Sequence, residues 1–265
     1  MGQAWKKVQK HKQAKDKLSN LMAKADKVIV IHYSCESFYD RSDGSSPRIT
    51  SVAVRNLESG QTTSFSIHQI AEIKGYSTNQ LEQHYNQLEK EMLDEFSNYV
   101  KHHSSHTWLH WNMRDINYGF PAIAHRHKVL GGKPTSIHES QLVDLSRLLL
   151  AIYGNHYISH PRLPTLVELN LISHKDFLQG GEEAKAFDNK EYVKLHQSTL
   201  RKVDVIAKIV ERAGEGSLKT NSSRIDIYGN YLVALIELFQ DNPVIIAIAT
   251  AITIIGGIIG IISFF

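Results

Sequence analysis

The segment VIVIHYSCESF, residues 28–38, opens with four aliphatic residues and brings His32, Tyr33, Ser34, Cys35 and Glu36 to its end. A buried strand finishing in imidazole, hydroxyl, thiol and carboxylate groups is where acid–base, nucleophilic or metal-binding chemistry would sit. Each group also has a plain structural account. Cys35 beside His32 has the makings of a thiol nucleophile and its base, but a lone cysteine near a buried strand is ordinarily packing. His102, His103, His106 and His110 lie close together among the 15 histidines and raise the question of zinc. They cross from a helix end into a strand without a cysteine pair, so no metal site is assigned to them. Trp108, Trp111, Tyr118 and Phe120 offer rings on which bases could stack, with core packing the better account. No glycine-rich phosphate loop of the Walker or dinucleotide type is present.

Charge is unevenly placed. Residues 1–27 carry eight lysines, at 6, 7, 10, 12, 15, 17, 24 and 27, against Asp16 and Asp26, whereas the whole chain is only +3. A basic arm on a slightly acidic body points to an anionic partner, nucleic acid or anionic lipid, or else to a solvated helix face. The arm is too charged for a signal peptide, and Lys6 breaks the myristoylation motif that Gly2 would begin. The single cysteine excludes an intrachain disulfide and fits a reducing compartment.

The elements that must position these groups read as follows. Residues 1–26 form a basic helix with Trp5, Val8, Leu18, Leu21 and Met22 as its sparse apolar set. Strands are expected at 28–34, 49–56 and 62–68, the last two joined at a Ser59-Gly60 turn. A helix over 77–102 and a fourth strand at 106–113 follow. Further helices are expected at 121–132, 142–154 and 163–170. A polar stretch, 173–188, precedes a long helix over 189–213. Residues 214–230 read as a linker and 231–242 as a short juxtamembrane helix.

The chain closes with PVIIAIATAITIIGGIIGIISFF, residues 243–265. Its last 22 residues carry no charge. As a helix they would reach roughly 33 Å, enough for a hydrocarbon core of roughly 30 Å. They predict a single transmembrane helix with residues 1–242 in the cytoplasm, since lysine and arginine lie only on the amino-terminal side. Gly256 and Gly260 form a GxxxG pair suited to self-association, and no ionisable residue marks a transport path.

Three strands, a helix, a fourth strand and then helices is the order of the ribonuclease-H-like fold, an α/β mixed sheet flanked by helices. Over about residues 27–213 the chain resembles the DEDD family of 3′–5′ exonucleases. VIVIHYSCESF resembles its first strand, RITSVAVRNLESGQTTSFSIH its second and third, LHWNMRDINYGF its His-Asn-x-x-Phe-Asp segment, and YVKLHQSTLRKVDVIAKIV its last helix. The resemblance lies in order and pattern; no motif is intact. In that family four acidic residues hold two divalent metals about 4 Å apart. Here Ser34 stands in the slot of the first Asp, with Glu36 as the Glu. Asn112 matches the Asn, but the acidic slot falls on Ile116 or Asn117, with Asp115 just before it. His196 matches the His of the last helix; Arg201 stands in the following acidic slot, and Asp204 comes later. An arginine there repels a metal and attracts a phosphate.

The resemblance therefore implies a degenerate, membrane-tethered domain that binds nucleic acid or a nucleotide and signals to or through its membrane helix, as a membrane-acting toxin or phage-defence effector would. It needs no cofactor. Lys6, Lys7, Lys10, Lys12 and Arg201 are its candidate nucleic-acid contacts. An active alternative uses Glu36, Asp115, His196 and Asp204, with Asp144 as a further acid, and Mg²⁺ or Mn²⁺. A third alternative is an anchored scaffold for a companion protein.

Overall fold

The computed structural model describes residues 2–36, 46–77, 80–115 and 117–241, with 247, 248, 250, 252 and 253 beyond them. The remainder of the expected membrane segment, including Gly256 and Gly260, lies outside the described residues, as does Ile116. Among the described residues no helix is long and apolar enough to cross a membrane.

The β-branched run 28–31 becomes the middle of a five-stranded mixed sheet. Strand β1 (Val28–Cys35) is buried along its whole length. It pairs antiparallel with β2 (Ile49–Asn56), Ile31 facing Val54 and Ser34 facing Ser51. β2 pairs antiparallel with β3 (Thr62–Ser66). On the other side β4 (Thr107–His110) runs parallel to β1, and β5 (Leu142–Asp144) runs parallel to β4. The order is β3-β2-β1-β4-β5.

The two-residue alternation of β1 divides the protein into two cores. Ile29, Ile31, Tyr33 and Cys35 pack with Leu88, Met92 and Phe96 of α3 (Leu81–His102). Val28 and Val30 pack with Val203, Ile206 and Val210 of α8 (Tyr192–Gly214). His32 and Ser34 share the parity of Val28 and Val30, so the polar end of β1 meets α8.

α1 (Gln3–Ala23) is amphipathic in a narrow way. Ala14, Leu18 and Leu21 enter the α8-side core, while Ala4 and Val8 pack on Ala234 of α9 (Arg224–Asp241). His11 Nδ1 lies 2.9 Å from the Tyr231 hydroxyl, and the Ala4 amide donates to Glu237 Oε2 at 3.2 Å. Trp5, expected among the apolar set, is 37% exposed.

Several boundaries differ from the sequence expectation. The third strand stops at Ser66 and α2 (Ile67–Ile73) begins, because Ile67, Ile70 and Ala71 bury at helical spacing. The helix expected over 77–102 starts at Leu81. Residues 142–144 are strand rather than helix; they pair with β4 before α5 (Leu145–Tyr153) starts. The polar stretch contains α7 (Gly180–Asp188), which buries Glu183, Ala186 and Phe187. α4 (Phe120–Val129) and α6 (Arg162–Leu169) lie near their expected places. The linker is shorter than expected, since α9 begins at Arg224. Its start is closed by Ser223 and Asp226: Ser223 N donates to Asp226 Oδ2 at 2.8 Å, and Asp226 N to Ser223 Oγ at 3.2 Å.

The docking of α1 makes one stability prediction. Leu18→Ala should lower stability by about 2–5 kcal/mol in thermal or denaturant unfolding, the range for emptying a buried leucine site. Asp16→Ala, on the exposed face of the same helix, should stay within about 0.5 kcal/mol.

Candidate functional site

The polar end of β1 is closed by a chain of hydrogen bonds that ends on one carboxylate. The Ser51 hydroxyl on β2 lies 2.7 Å from Thr199 Oγ1 on α8. Thr199 donates to Ser34 Oγ at 3.0 Å, and Ser34 donates to Glu183 Oε1 at 2.9 Å. The same oxygen accepts from Ser198 at 3.2 Å and pairs with the Lys202 ammonium at 2.7 Å. The Glu183 and Lys202 side chains are only 2% and 7% exposed. A carboxylate so far from water is tolerable only because three donors, one of them cationic, converge on it.

Beside this chain, His32 Nδ1 lies 3.3 Å from the Tyr118 hydroxyl. Burial, reinforced by the nearby Lys202 charge, pulls the His32 imidazole well below its ordinary value, so it is neutral at physiological pH. Tyr118 stacks on Tyr33 at 4.6 Å. The Tyr33 hydroxyl in turn accepts from Gly119 N at 3.0 Å. Only glycine fits at 119: an added Cβ would lie 2.6 Å from the Met113 carbonyl carbon.

The residues named from sequence do not converge on this cluster. Glu36 pairs with Arg48 at 3.2 Å, and Arg48 also reaches Glu82 at 3.3 Å. The Arg48 guanidinium sits 4.7 Å from both the Tyr85 and Phe187 ring centroids. Asp115 turns back on its own loop, accepting from Asn117 N at 3.0 Å and Tyr118 N at 2.7 Å. His196 packs beside His68 with ring centroids 4.9 Å apart; burial and then His68 lower its value to about 4. Asp204 is held by Arg201 at 3.1 Å and Lys208 at 2.9 Å. Asp144 caps α5 through Ser146 N at 3.0 Å and pairs with Arg114 at 2.6 Å. Among the described residues no group of three or more His, Cys, Asp and Glu side chains is placed to hold a metal ion.

Arg201 donates to the Lys175 carbonyl at 2.9 Å. The cation that α8 carries to the end of β1 is therefore Lys202, one residue later. A signal for it was present: Leu195, Ser198, Lys202 and Ile206 share one helix face, and a lysine on an apolar face needs a buried acid. Nothing comparable pointed to Glu183, whose helix has little apolar periodicity.

The opposite face of β1 and β2 has its own buried pair. Arg126 donates to Glu89 Oε2 at 2.6 Å, and the Ile49 amide donates to Glu89 Oε1 at 2.6 Å. Burial pushes the Glu89 carboxyl up, against the pull of Arg126.

A separate cleft of about 1080 Å³ runs along the edge strand β5. Lys10 and Lys17 of α1, Arg114, and Arg147 of α5 line it, together with the apolar side chains of Phe120 and Ile137. His110 lines it too; burial pulls its imidazole down to about 4. Lys6, Lys7 and Lys12 are exposed elsewhere on α1.

No family model, curated protein or solved structure matches the chain.

Two predictions arise from the buried groups. Lys202→Ala leaves Glu183 charged and unpaired in the interior and should destabilise the fold by about 3–5 kcal/mol, read from unfolding curves. Replacing both partners, Glu183→Leu with Lys202→Met, should recover most of that loss. His196 is neutral when folded but binds a proton in the unfolded chain between its ordinary 6.5 and about 4. Its contribution is complete above pH 6.5 and falls as pH drops through that window. His196→Gln should therefore flatten the fall in melting temperature between pH 6.5 and 4.

Proposed function

We propose that this chain is a membrane-tethered binding module, built on a ribonuclease-H-like domain of the DEDD exonuclease type that does not cleave. The observation that carries this reading is the Glu183–Lys202 pair, with Ser34 bonded to the same carboxylate. A two-metal centre concentrates negative charge so that two divalent cations can share it. Among the described residues the only acid reached by Ser34 at the end of β1 already has an ammonium 2.7 Å away. Glu36, the acid two residues on, is committed to Arg48. These residues do not suit a two-metal site, and no catalytic step is assigned to them.

The element order supports the resemblance: antiparallel β1, β2 and β3, then α3, a parallel β4, and α8 across β1 and β2. The binding partner in this reading is nucleic acid or a nucleotide, drawn by the lysines of α1. The membrane tether rests on the uncharged tail 244–265 and on α9, which directly precedes it. Ile225, Leu232, Val233, Leu235 and Ile236 of α9 are exposed. On α1, which packs against α9, Lys6, Lys7 and Lys12 are exposed. An apolar helix face beside a lysine-rich one suits an anionic lipid surface. Tail association through Gly256 and Gly260 would make the output a homo-oligomer in the membrane, the arrangement of a defence effector or toxin.

The test uses the full chain in lipid nanodiscs with labelled single-stranded DNA and RNA, with and without Mg²⁺ or Mn²⁺. Binding that weakens steeply with added salt, and strands that keep their full length, are expected. Metal-dependent shortening abolished by Glu36→Ala would overturn the proposal and restore the exonuclease.

A further inference from the structure

We infer that the cleft along β5 is a binding site for a phosphate ester of nucleotide size, with Lys10 and Lys17 of α1 and Arg147 of α5 receiving the phosphates. This rests on the binding-module reading above and gives it a place in the fold. Its volume, about 1080 Å³, lies just above the usual range of small-molecule sites, roughly 300–1000 Å³. Inorganic phosphate alone would leave most of it empty.

The charges of the lining are not balanced. Among the described residues none of Lys10, Lys17 and Arg147 has an ion-pair partner. The carboxylates that share the cleft are largely engaged. Asp144 is neutralised by Arg114 at 2.6 Å, and Asp115 is turned onto the amides of Asn117 and Tyr118. With Arg114 and Asp144 paired, Lys10, Lys17 and Arg147 stand against Asp115 and Glu139, which leaves the lining one positive charge in excess. Cations converging on a concave, partly apolar wall focus a positive potential into it.

The remaining wall supplies what the non-phosphate part of such a ligand needs. Phe120 and Ile137 give apolar surface, and Phe120 is braced edge-on by the His110 ring at 5.5 Å. His110 is neutral at physiological pH, so it adds no charge there. Its lining takes in His110 and Asp144, at the carboxyl ends of the parallel strands β4 and β5, the end of an open α/β sheet at which ligands bind. A free nucleotide and the terminal nucleotide of a strand would present the same chemistry to it.

The experiment again uses the full chain in nanodiscs. A fluorescent ATP analogue is the probe, with inorganic triphosphate and adenosine as competitors, and a labelled single strand is titrated in parallel. Saturable binding of the analogue is expected, displaced by triphosphate and far less by adenosine. Lys17→Ala with Arg147→Ala should weaken it at least about tenfold with an unchanged melting curve. Lys185→Ala with Lys194→Ala, exposed on α7 and α8 and outside the cleft lining, should leave it within about twofold. Failure of the analogue to bind, or equal affinity in the Lys17/Arg147 variant, overturns the assignment. Should the strand bind while the analogue does not bind, or binds that variant equally well, the cleft is wrong while the binding-module reading stands. Metal-dependent shortening of the strand instead overturns the non-catalytic reading, with the cleft judged by the nucleotide titration alone. If the analogue and the strand compete and both lose affinity in the variant, the ligand source is a strand end as well as a free nucleotide.

Discussion

The ion pair between Glu183 and Lys202 is the constraint around which the sheet end is organised. Apolar contacts between α8 and the sheet are non-directional and would tolerate a helix shifted along its axis. A buried carboxylate with an ammonium and two hydroxyls on one oxygen does not. Each donor comes from a fixed place: Ser34 from β1, Ser198 and Lys202 from α8. Thr199 and Ser51 extend the same chain to β2. Such a pair adds little net stability over apolar residues, but loss of one partner alone leaves a buried charge uncompensated. The same holds of the Arg126–Glu89 pair on the α3 side, where Glu89 also takes the Ile49 amide. The ends of β1 and β2 are thus pinned from both faces by charges that only one packing satisfies.

The parts of the fold legible in the sequence are those whose periodicity comes from burial on one side. β1 and β2 announced themselves as runs of β-branched residues, and α3 and α8 as long stripes at helical spacing. β5 did not, because three residues, Leu142–Asp144, carry no period of their own. They become strand only by lying beside Trp108, Leu109 and His110. α7 was hidden for the opposite reason: it buries Ala186 and Phe187 but also an acid, Glu183, so its apolar face is interrupted. The start of α9 was legible after all in Ser223 and Asp226, whose three-residue spacing is that of a reciprocal cap.

The candidate site was legible in location and not in content. Reading Ser34 and Glu36 as the polar end of a strand led to this buried cluster, and the last long helix does cross it. Which residues meet there depends on side-chain direction, and sequence offset alone misplaces it by one position: Arg201 points to the Lys175 carbonyl and Lys202 points inward. Glu36 and Asp115, the acids nearest the expected slots, are spent on Arg48 and on local loop amides. The chemistry of this sheet end is set by Glu183, a residue contributed by a segment that had no apparent reason to be there.

α1 bears two loads at different points along its length. Its carboxyl-terminal half is seated in the core through Ala14, Leu18 and Leu21, and its amino-terminal half is fastened to α9 through Ala4, Val8 and His11. The two helices run antiparallel, Ala4 beside Glu237 and Lys15 beside Tyr228. From Ala14 to Ala4 the helix is a stiff arm roughly 15 Å long. With the seated half as a fulcrum, a tilt of about 5° would carry the Ala4 end about 1 Å, and α9 with it. The amino-terminal end of α1 and the carboxyl-terminal turns of α9 therefore lie together. Small rotations of the arm are magnified there, while at the sheet they stay within the play of ordinary side-chain packing.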